Sequence, residues 1–300
     1  MPLQTKAIKQ KIKSVGNIKK ITKTMEMVSV SKMRKAVEHV LASRMYARYA
    51  LELLINISRD KNVSNPLMLR GAGEKELIVV VASNKGLCGG YHGNITRALN
   101  SYTKGKDTTK TRVITIGRYG EKICKKLNLQ TFASFLNFSE TSPIEQTKEL
   151  SNLITQEFLK GEYASVKVLY TEFLKSTLYR PALREVFPVS VESVRNIIEA
   201  LDPAIGKEVK ENALVDYKFE PDFATILESI LPGLVDIVVY QSLAEAFASE
   251  HSARMFAMKN AGDNATTILD GLQLSYNHAR QDGITRELSE IVAGAEALSS

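Results

Sequence analysis

The chain has no tryptophan, and its 300 residues hold only two cysteines, four histidines and eight prolines. Two isolated thiols, Cys88 and Cys124, build no disulfide framework and point to a reducing compartment. The cysteines and histidines show no metal-ligand spacing, which excludes a structural zinc module. A lone histidine such as His251, set in a helical stripe, reads as structural. The longest unbroken apolar run is Leu77 to Ala82, far short of the ~20 residues that span a bilayer. The rarity of proline matters most, because none lies between Pro2 and Pro66 and none from Gly233 to Ser300.

Both proline-free ends carry apolar residues at helical spacing. The C-terminal stripe runs Leu243, Phe247, His251, Met255, Met258, Gly262, Ala265, Leu269, Leu272, Tyr276, Ala279, and after one five-residue step Ile284, Leu288, Ile291, Ala295, Leu298. At 1.5 Å per residue such a helix reaches roughly 100 Å, too long for a compact domain to bury. The N-terminal series is Ile8, Ile12, Val15, Ile18, Ile21, Met25, Val28, Lys32, Ala36, Val40, Ser43, Ala47, Ala50, Leu54, Ile57. A stripe this narrow is a coiled-coil seam. Single helices are marginal in water, so the two are expected to wrap as an antiparallel pair, with Gly16, Gly262, Gly271, Gly283 and Gly294 as thin places where backbones approach. The alternative is a bundle of shorter helices broken near the glycines.

Charge separates along the chain. Residues 1 to 60 carry 13 Lys and Arg against 4 Asp and Glu, a net of +9, and the remainder is slightly acidic, which gives the overall +7. A basic helix suits nucleic acid, anionic lipid, an acidic protein partner or a solvated face. Lys6, Lys9, Lys11, Lys13, Lys19, Lys20 and Lys23 precede the first acid, Glu26, and so mimic a transit peptide, but arginine is absent before Arg34 and the seam continues through Leu54.

Between the helices the pattern becomes strand, loop and helix. Leu77 to Ala82 reads as a buried parallel strand, followed by the loop SNKGLCGG (Ser83 to Gly90) and a helix near Asn94 to Tyr102. Arg112 to Ile116 is a second strand with a helix near Tyr119 to Leu127. Pro143 to Leu159 is an amphipathic helix, and Ser165 to Phe173 and Leu183 to Val191 are further strands. The glycine-rich loop invites a phosphate-binding reading, but Gly90 is followed by Tyr91 and His92 where a P-loop needs lysine and a hydroxyl. A tight turn with close packing is the expected role. No Ser/His/Asp, Cys/His or paired-carboxylate set stands out, so the chain reads as a non-enzyme without a cofactor. Two rivals stay open on residues alone: a nucleic-acid-binding coiled coil, and a nucleotide-binding enzyme built on the middle domain.

Several segments resemble the gamma subunit of rotary proton-translocating ATP synthases: ITKTMEMVSVSKMRKA (Ile21 to Ala36), SNKGLCGG, DYKFEPDFATILESILP (Asp216 to Pro232), ASEHSARMFAMKNAGDNA (Ala248 to Ala265) and YNHARQDGITRELSEIVAGAEAL (Tyr276 to Leu298). The resemblance covers essentially the whole chain. It implies an α+β protein in which N- and C-terminal helices form a long antiparallel coiled coil around a central α/β (Rossmann-like) domain: a shaft helix at 1–65, a foot at 75–195 and a second shaft helix at 205–300. It further implies a non-catalytic rotor shaft that couples proton flow to ATP synthesis or hydrolysis on surrounding subunits and regulates ATPase activity. One copy per complex would sit peripherally on the cytoplasmic face of a bacterial cell membrane, without inserting in it and without nucleic acid. Its partners would be the alpha and beta subunits of the catalytic head, the epsilon subunit and the membrane c-ring.

By the same resemblance Arg280, Gln281 and Thr285 match upper-shaft positions that contact a catalytic-subunit loop; Met25, with Lys23 and Arg34, matches a lower region near an acidic lever; and Arg254 matches a shaft position linked to coupling. Met25 read from its spacing alone is seam packing. Ile284, Leu288, Ile291 and Leu298 would meet an apolar sleeve at the tip, and Tyr217 and Glu220 would face the rotor ring and epsilon. His92, Gly93 and Val30 depart from the usual family residues. Cys88 and Cys124 lie outside the dithiol insertion of the chloroplast type, which implies no thiol switch.

Overall fold

The computed structural model describes residues 3–57, 65–136, 138, 143–190 and 223–299. It contains a helix α1 (Leu3–Ile57), the strands and helices β1 (Lys75–Val81), α2 (Tyr91–Thr103), β2 (Thr111–Ile116), α3 (Arg118–Lys126), β3 (Gln130–Phe135), α4 (Pro143–Leu159), β4 (Tyr163–Lys175) and β5 (Leu178–Phe187), and a helix α5 (Phe223–Ser299). The chain divides into two compact units, Met1–Val30 with Arg254–Ser300, and Ser31–Ala253. Both long helices contribute to both units.

In the first unit the ends of α1 and α5 pack as an antiparallel coiled coil. On α5 the seam follows the sequence reading: Met258 and Ala265 are buried, and Leu269, Leu272, Tyr276 and Ala279 are half-buried. The seam then ends on buried Gly283, not on Ile284, which is half exposed. On α1 the seam departs from expectation. Ile8, Ile12, Val15 and Met25 are half-buried as expected, but Ile18, Ile21, Val28 and Lys32 face solvent and the buried positions are Thr5, Thr22 and Ser29.

At Thr22 close approach explains this inversion. The Thr22 hydroxyl lies against Gly262, where a Cβ would stand 3.4 Å from its oxygen. A hydroxyl can be buried there because Thr22 Oγ1 donates to the Lys19 carbonyl at 3.0 Å and Ser29 Oγ to the Met25 carbonyl at 2.7 Å, so neither is left unsatisfied. Small self-bonded residues therefore fill the seam, and the branched apolar ones are turned outward.

The second unit is built on a five-stranded sheet of order β3-β2-β1-β4-β5, parallel except for the antiparallel β4–β5 pair. The crossovers place α2 and α3 on one face and α4 on the other, as right-handed connections require in a doubly wound sheet. Because side chains alternate across a strand, Ile78 and Val80 of β1 join Ile95, Leu99, Ile123 and Cys124 on the α2/α3 side. Leu77, Val79 and Val81 join Leu150, Ile154 and Phe158 of α4 on the other. The four-residue steps Tyr91, Ile95, Leu99 and Leu150, Ile154, Phe158 are what make α2 and α4 amphipathic helices.

The same side of the sheet holds α5. From Gln241 to Ala253 every residue is buried, and Ala36 and Val40 of α1 belong to the same core as Leu231 to Ala248. Within Glu228–Ala295 an 18-residue window reaches a mean hydropathy of 1.4, apolar enough to cross a membrane, and 67% of it is buried inside the chain. Counting only unbroken apolar runs misses this window, because Asp236, Gln241 and Glu245 interrupt the stretch. Its burial marks it as the core helix of this unit. The helix begins earlier than the proline-free stretch and passes through exposed Pro232.

Two outcomes for stability and one for thiol reactivity are expected. Gly16 lies inside α1 with open space around it, so Gly16→Ala should raise stability by up to ~1 kcal/mol. Gly73, where a Cβ would stand 1.9 Å from the Glu162 carbonyl oxygen, should lose about 1–3 kcal/mol as alanine; urea unfolding of both variants checks the opposite signs. Burial pushes the Cys124 thiol up to about 12, with the nearby Glu121 charge adding to the shift. At pH 8 the native chain should therefore leave Cys124 unalkylated by iodoacetamide while the urea-unfolded chain is modified, as mass spectrometry would show.

Candidate functional site

In a doubly wound sheet a ligand is expected where the strand order reverses, here between the carboxyl ends of β1 and β4. The loop Ser83 to Gly90 leaves β1 at that point and is shaped by backbone constraint. Leu87 and Gly89 have φ of 61° and 57°, and a Cβ on Gly86 would stand 2.8 Å from the Tyr119 hydroxyl. Asn84 Oδ1 accepts from the Arg118 amide at 3.0 Å, and the Ser83 carbonyl accepts from the Tyr119 amide at 3.1 Å. The loop is thus a turn locked onto the start of α3.

A serine, a histidine and a cysteine meet inside it. Ser83 Oγ donates its single proton to the Lys85 carbonyl at 2.7 Å, so at His92 Nε2, also 2.7 Å away, it accepts. That leaves Nδ1 of a neutral ring as acceptor for the Cys88 thiol at 3.4 Å. The imidazole stacks on Tyr119 with centroids 3.8 Å apart. Although the pairing has the composition of a nucleophile and its base, Ser83 and Cys88 are both buried.

The crevice itself is filled by α5. The Tyr91 hydroxyl donates to the Ala246 carbonyl at 3.2 Å, Ser249 Oγ donates to the Thr171 carbonyl at 3.1 Å, and Ala253 packs with Cys88, Tyr91 and Leu169. A helix thus occupies the place a nucleotide takes in related architectures. Among the described residues no group of three or more His, Cys, Asp or Glu side chains could hold a metal ion.

The exposed surfaces of the first unit are the remaining candidate. Arg280, Gln281 and Thr285 are exposed on α5, and Ile284, Leu288 and Ile291 follow them with half or more of their surface in solvent. Only the backbone of Leu298 is described. On α1, Lys23 is exposed and donates to Glu26 Oε2 at 3.0 Å, Met25 is half-buried, and Arg34, which belongs to the second unit, is exposed. Arg254 differs from the others because it is buried. Tyr217 and Glu220 lie outside the described residues.

Seam spacing concealed a further group. Ile18, Ile21 and Val28 were assigned inward by their apolar character, yet they form an outward stripe beside the exposed lysines Lys19, Lys20 and Lys23. Met27 of α1, with Ile268, Leu274 and Val292 of α5, adds to the exposed apolar surface of this unit.

Comparison with known proteins places the chain. The ATP synthase family model matches residues 4–298. The ATP synthase gamma chain of Dehalococcoides mccartyi strain CBDB1 is 35% identical over 295 residues, covering 97% of this chain and 98% of that one. That of Paraburkholderia phymatum is 37% identical over 297 residues, with 98% and 99% covered. Among solved structures, a chain of the Euglena gracilis mitochondrial ATP synthase rotor superposes with a TM-score of 0.63 at 18% identity over 94% of this chain and 99% of that one. A chain of the same enzyme's OSCP/F1/c-ring assembly superposes with a TM-score of 0.67 at 19% identity, covering 98% of this chain and 94% of that one. These structural likenesses bear on the fold, and the sequence matches, which run almost from end to end, show that the chain belongs to the ATP synthase gamma chain family.

Proposed function

We propose that this chain is the central rotor shaft of an ATP synthase, coupling proton flow through a membrane rotor to ATP synthesis or hydrolysis on surrounding catalytic subunits and regulating ATPase activity. The observation that carries this reading is the match to gamma chains over residues 4–298. In this reading three segments divide the work: a shaft helix at 1–65, a foot at 75–195 and a second shaft helix at 205–300. The partners are the alpha and beta subunits of the head, the c-ring below and the epsilon subunit beside the foot. One copy serves each complex, and the chain sits peripherally on the cytoplasmic face of the bacterial cell membrane. The matched structures, which are a rotor, a central stalk with c-ring and an F1/c-ring assembly, support the head and ring as partners. ATP chemistry then belongs to the surrounding subunits, which is consistent with a switch-point crevice filled by α5.

Within this reading Arg280, Gln281 and Thr285 contact a catalytic-subunit loop, and Ile284, Leu288, Ile291 and Leu298 turn inside an apolar sleeve. Met25, Lys23 and Arg34 serve the lower lever, and Tyr217 and Glu220 serve the ring and epsilon. Arg254, being buried, would act there by holding the helix and not by touching the head. Exposed ion pairs contribute about 0–1 kcal/mol each, so lysines facing acidic loops guide a turning shaft without locking it.

Two measurements test this. The chain reconstituted with catalytic and non-catalytic subunits should rotate a bead attached to its foot under ATP; an assembled, hydrolysing complex that leaves the bead still would refute the shaft reading. Changing Lys19, Lys20 and Lys23 together to glutamine should lower coupled ATPase activity about two- to tenfold, as the loss of several weak charge contacts implies. Unchanged coupling would remove the guiding role of the basic helix.

A further inference from the structure

A shaft fixed to a foot must resist twisting and sliding at the joint, and the chemistry of the α5–sheet contact in the second unit speaks to that load. From Gln241 to Ala253 α5 is rich in small residues, with Ser242, Ala244, Ala246, Ala248, Ser249, Ser252 and Ala253 all buried. Such a surface lets the sheet backbone come close. Apolar contact, however, is non-directional, so it opposes separation far more than it opposes slipping by a few ångström. Hydrogen bonds fail within about 1 Å and a few tens of degrees, and broken inside a core they leave unsatisfied groups.

Directional contacts recur along this stretch. Arg184 of β5 reaches the helix with two nitrogens, one donating to Ser242 Oγ at 3.3 Å and one 3.7 Å from Glu245 Oε1, while its guanidinium lies 4.7 Å over the Tyr170 ring of β4. Gln241 Nε2 donates to the same carboxylate oxygen at 2.9 Å. Burial pushes the Glu245 carboxyl above its ordinary range, against the pull of Arg184. Further along, Ser249 Oγ donates to the Thr171 carbonyl at 3.1 Å, Ser252 Oγ donates to the Ser176 carbonyl, and the Tyr91 hydroxyl donates to the Ala246 carbonyl at 3.2 Å. The partners come from β4, the β4–β5 turn, β5 and α2, so the helix is held over three turns and from several elements.

We propose that Arg184, Glu245 and Ser242, with Ser249, Ser252 and Tyr91, form a toothed joint that fixes the register of α5 on the sheet and carries torque between foot and shaft. This rests on the rotor-shaft reading and assigns positioning residues within it. The joint is set apart from a merely stabilising core by what its removal does. Replacing a buried charged pair by apolar residues of similar size leaves stability unchanged or raises it, yet removes the directional contacts.

The test uses the reconstituted complex with the fourfold variant Arg184→Met, Glu245→Met, Ser249→Ala and Ser252→Ala. ATP hydrolysis by the head should stay close to that of the unmodified complex, while ATP-driven proton pumping into vesicles should fall by about threefold or more, since a slipping joint loses work only when loaded. A bead on the foot should turn at low viscous load and stall at high load. Pumping and loaded rotation that match the unmodified complex would overturn the proposal. If the fourfold variant fails to assemble, Ser249→Ala with Ser252→Ala and, separately, Glu245→Gln are each expected to give a smaller fall in pumping at normal hydrolysis; no fall in either would overturn it equally. Failure of the unmodified complex to rotate would instead count against the shaft reading itself.

Discussion

The structure of the second unit depends on a helix segment that is buried on every side. Gln241 to Ala253 packs against a mixed sheet, against Ala36 and Val40 of α1, and against the loop that ends β1. A helix in that position must carry small side chains where backbones meet it and must satisfy every polar group it brings. Alternating alanine with serine meets the first condition, and Arg184 and Gln241 serve the Oε1 oxygen of Glu245 toward the second. The sheet in turn needs this helix, because α4 alone covers only part of the face that Val79, Val81, Val168 and Tyr170 present.

Much follows from where the segment lies. It crosses the switch point of a doubly wound sheet, so the position that hosts ligands in such folds becomes an internal contact. The loop SNKGLCGG keeps the glycine-rich look of a phosphate cradle, but its positive-φ residues and its Ser83–His92–Cys88 chain serve packing against Tyr119 and α3. The resemblance to a nucleotide fold is architectural: at the switch point α5 packs against α2 and β4.

The strands β1, β2 and β4 and the helices α2, α3 and α4 were legible in the sequence because buried parallel strands are unbroken apolar runs and the helices carry four-residue steps. The strand β3 was not. It is an edge strand whose residues Gln130 to Phe135 are mostly exposed or half-buried, so burial imposed no pattern on them. The seam of α1 was read wrongly at Ile18, Ile21 and Val28 for a related reason. Periodicity assigns apolar residues inward, whereas here Thr22, set against Gly262, and Ser29 are buried, and hydroxyls bonded to their own helix are invisible to an apolar count. Of the candidate site residues, Arg280, Gln281, Thr285 and the tip residues Ile284, Leu288 and Ile291 fall on exposed helix, while buried Arg254 does not; that distinction depends on neighbours that spacing along one helix cannot supply.

The same helix α5 therefore presents two chemistries along its length. In the stretch held by the sheet, polar and geometrically strict contacts recur, and their loss would leave buried groups unpaired. From Ile284 onward its apolar side chains, Leu288 and Ile291 among them, stand in solvent, and the hydrogen bonds seen there, such as Ser289 to the Thr285 carbonyl at 2.9 Å, stay within the helix. Apolar contact without directional partners has nearly the same energy at every angle of rotation, while a lattice of hydrogen bonds has one minimum. For the proposed shaft this arrangement is what the two ends require: a joint that cannot turn where work is passed on, and a bearing that can turn where it is confined. A buried polar hot spot at the tip would hold the shaft at one angle by several kcal/mol, whereas directional contacts such as those of Ser249 and Ser252 are what the joint needs to pass work on.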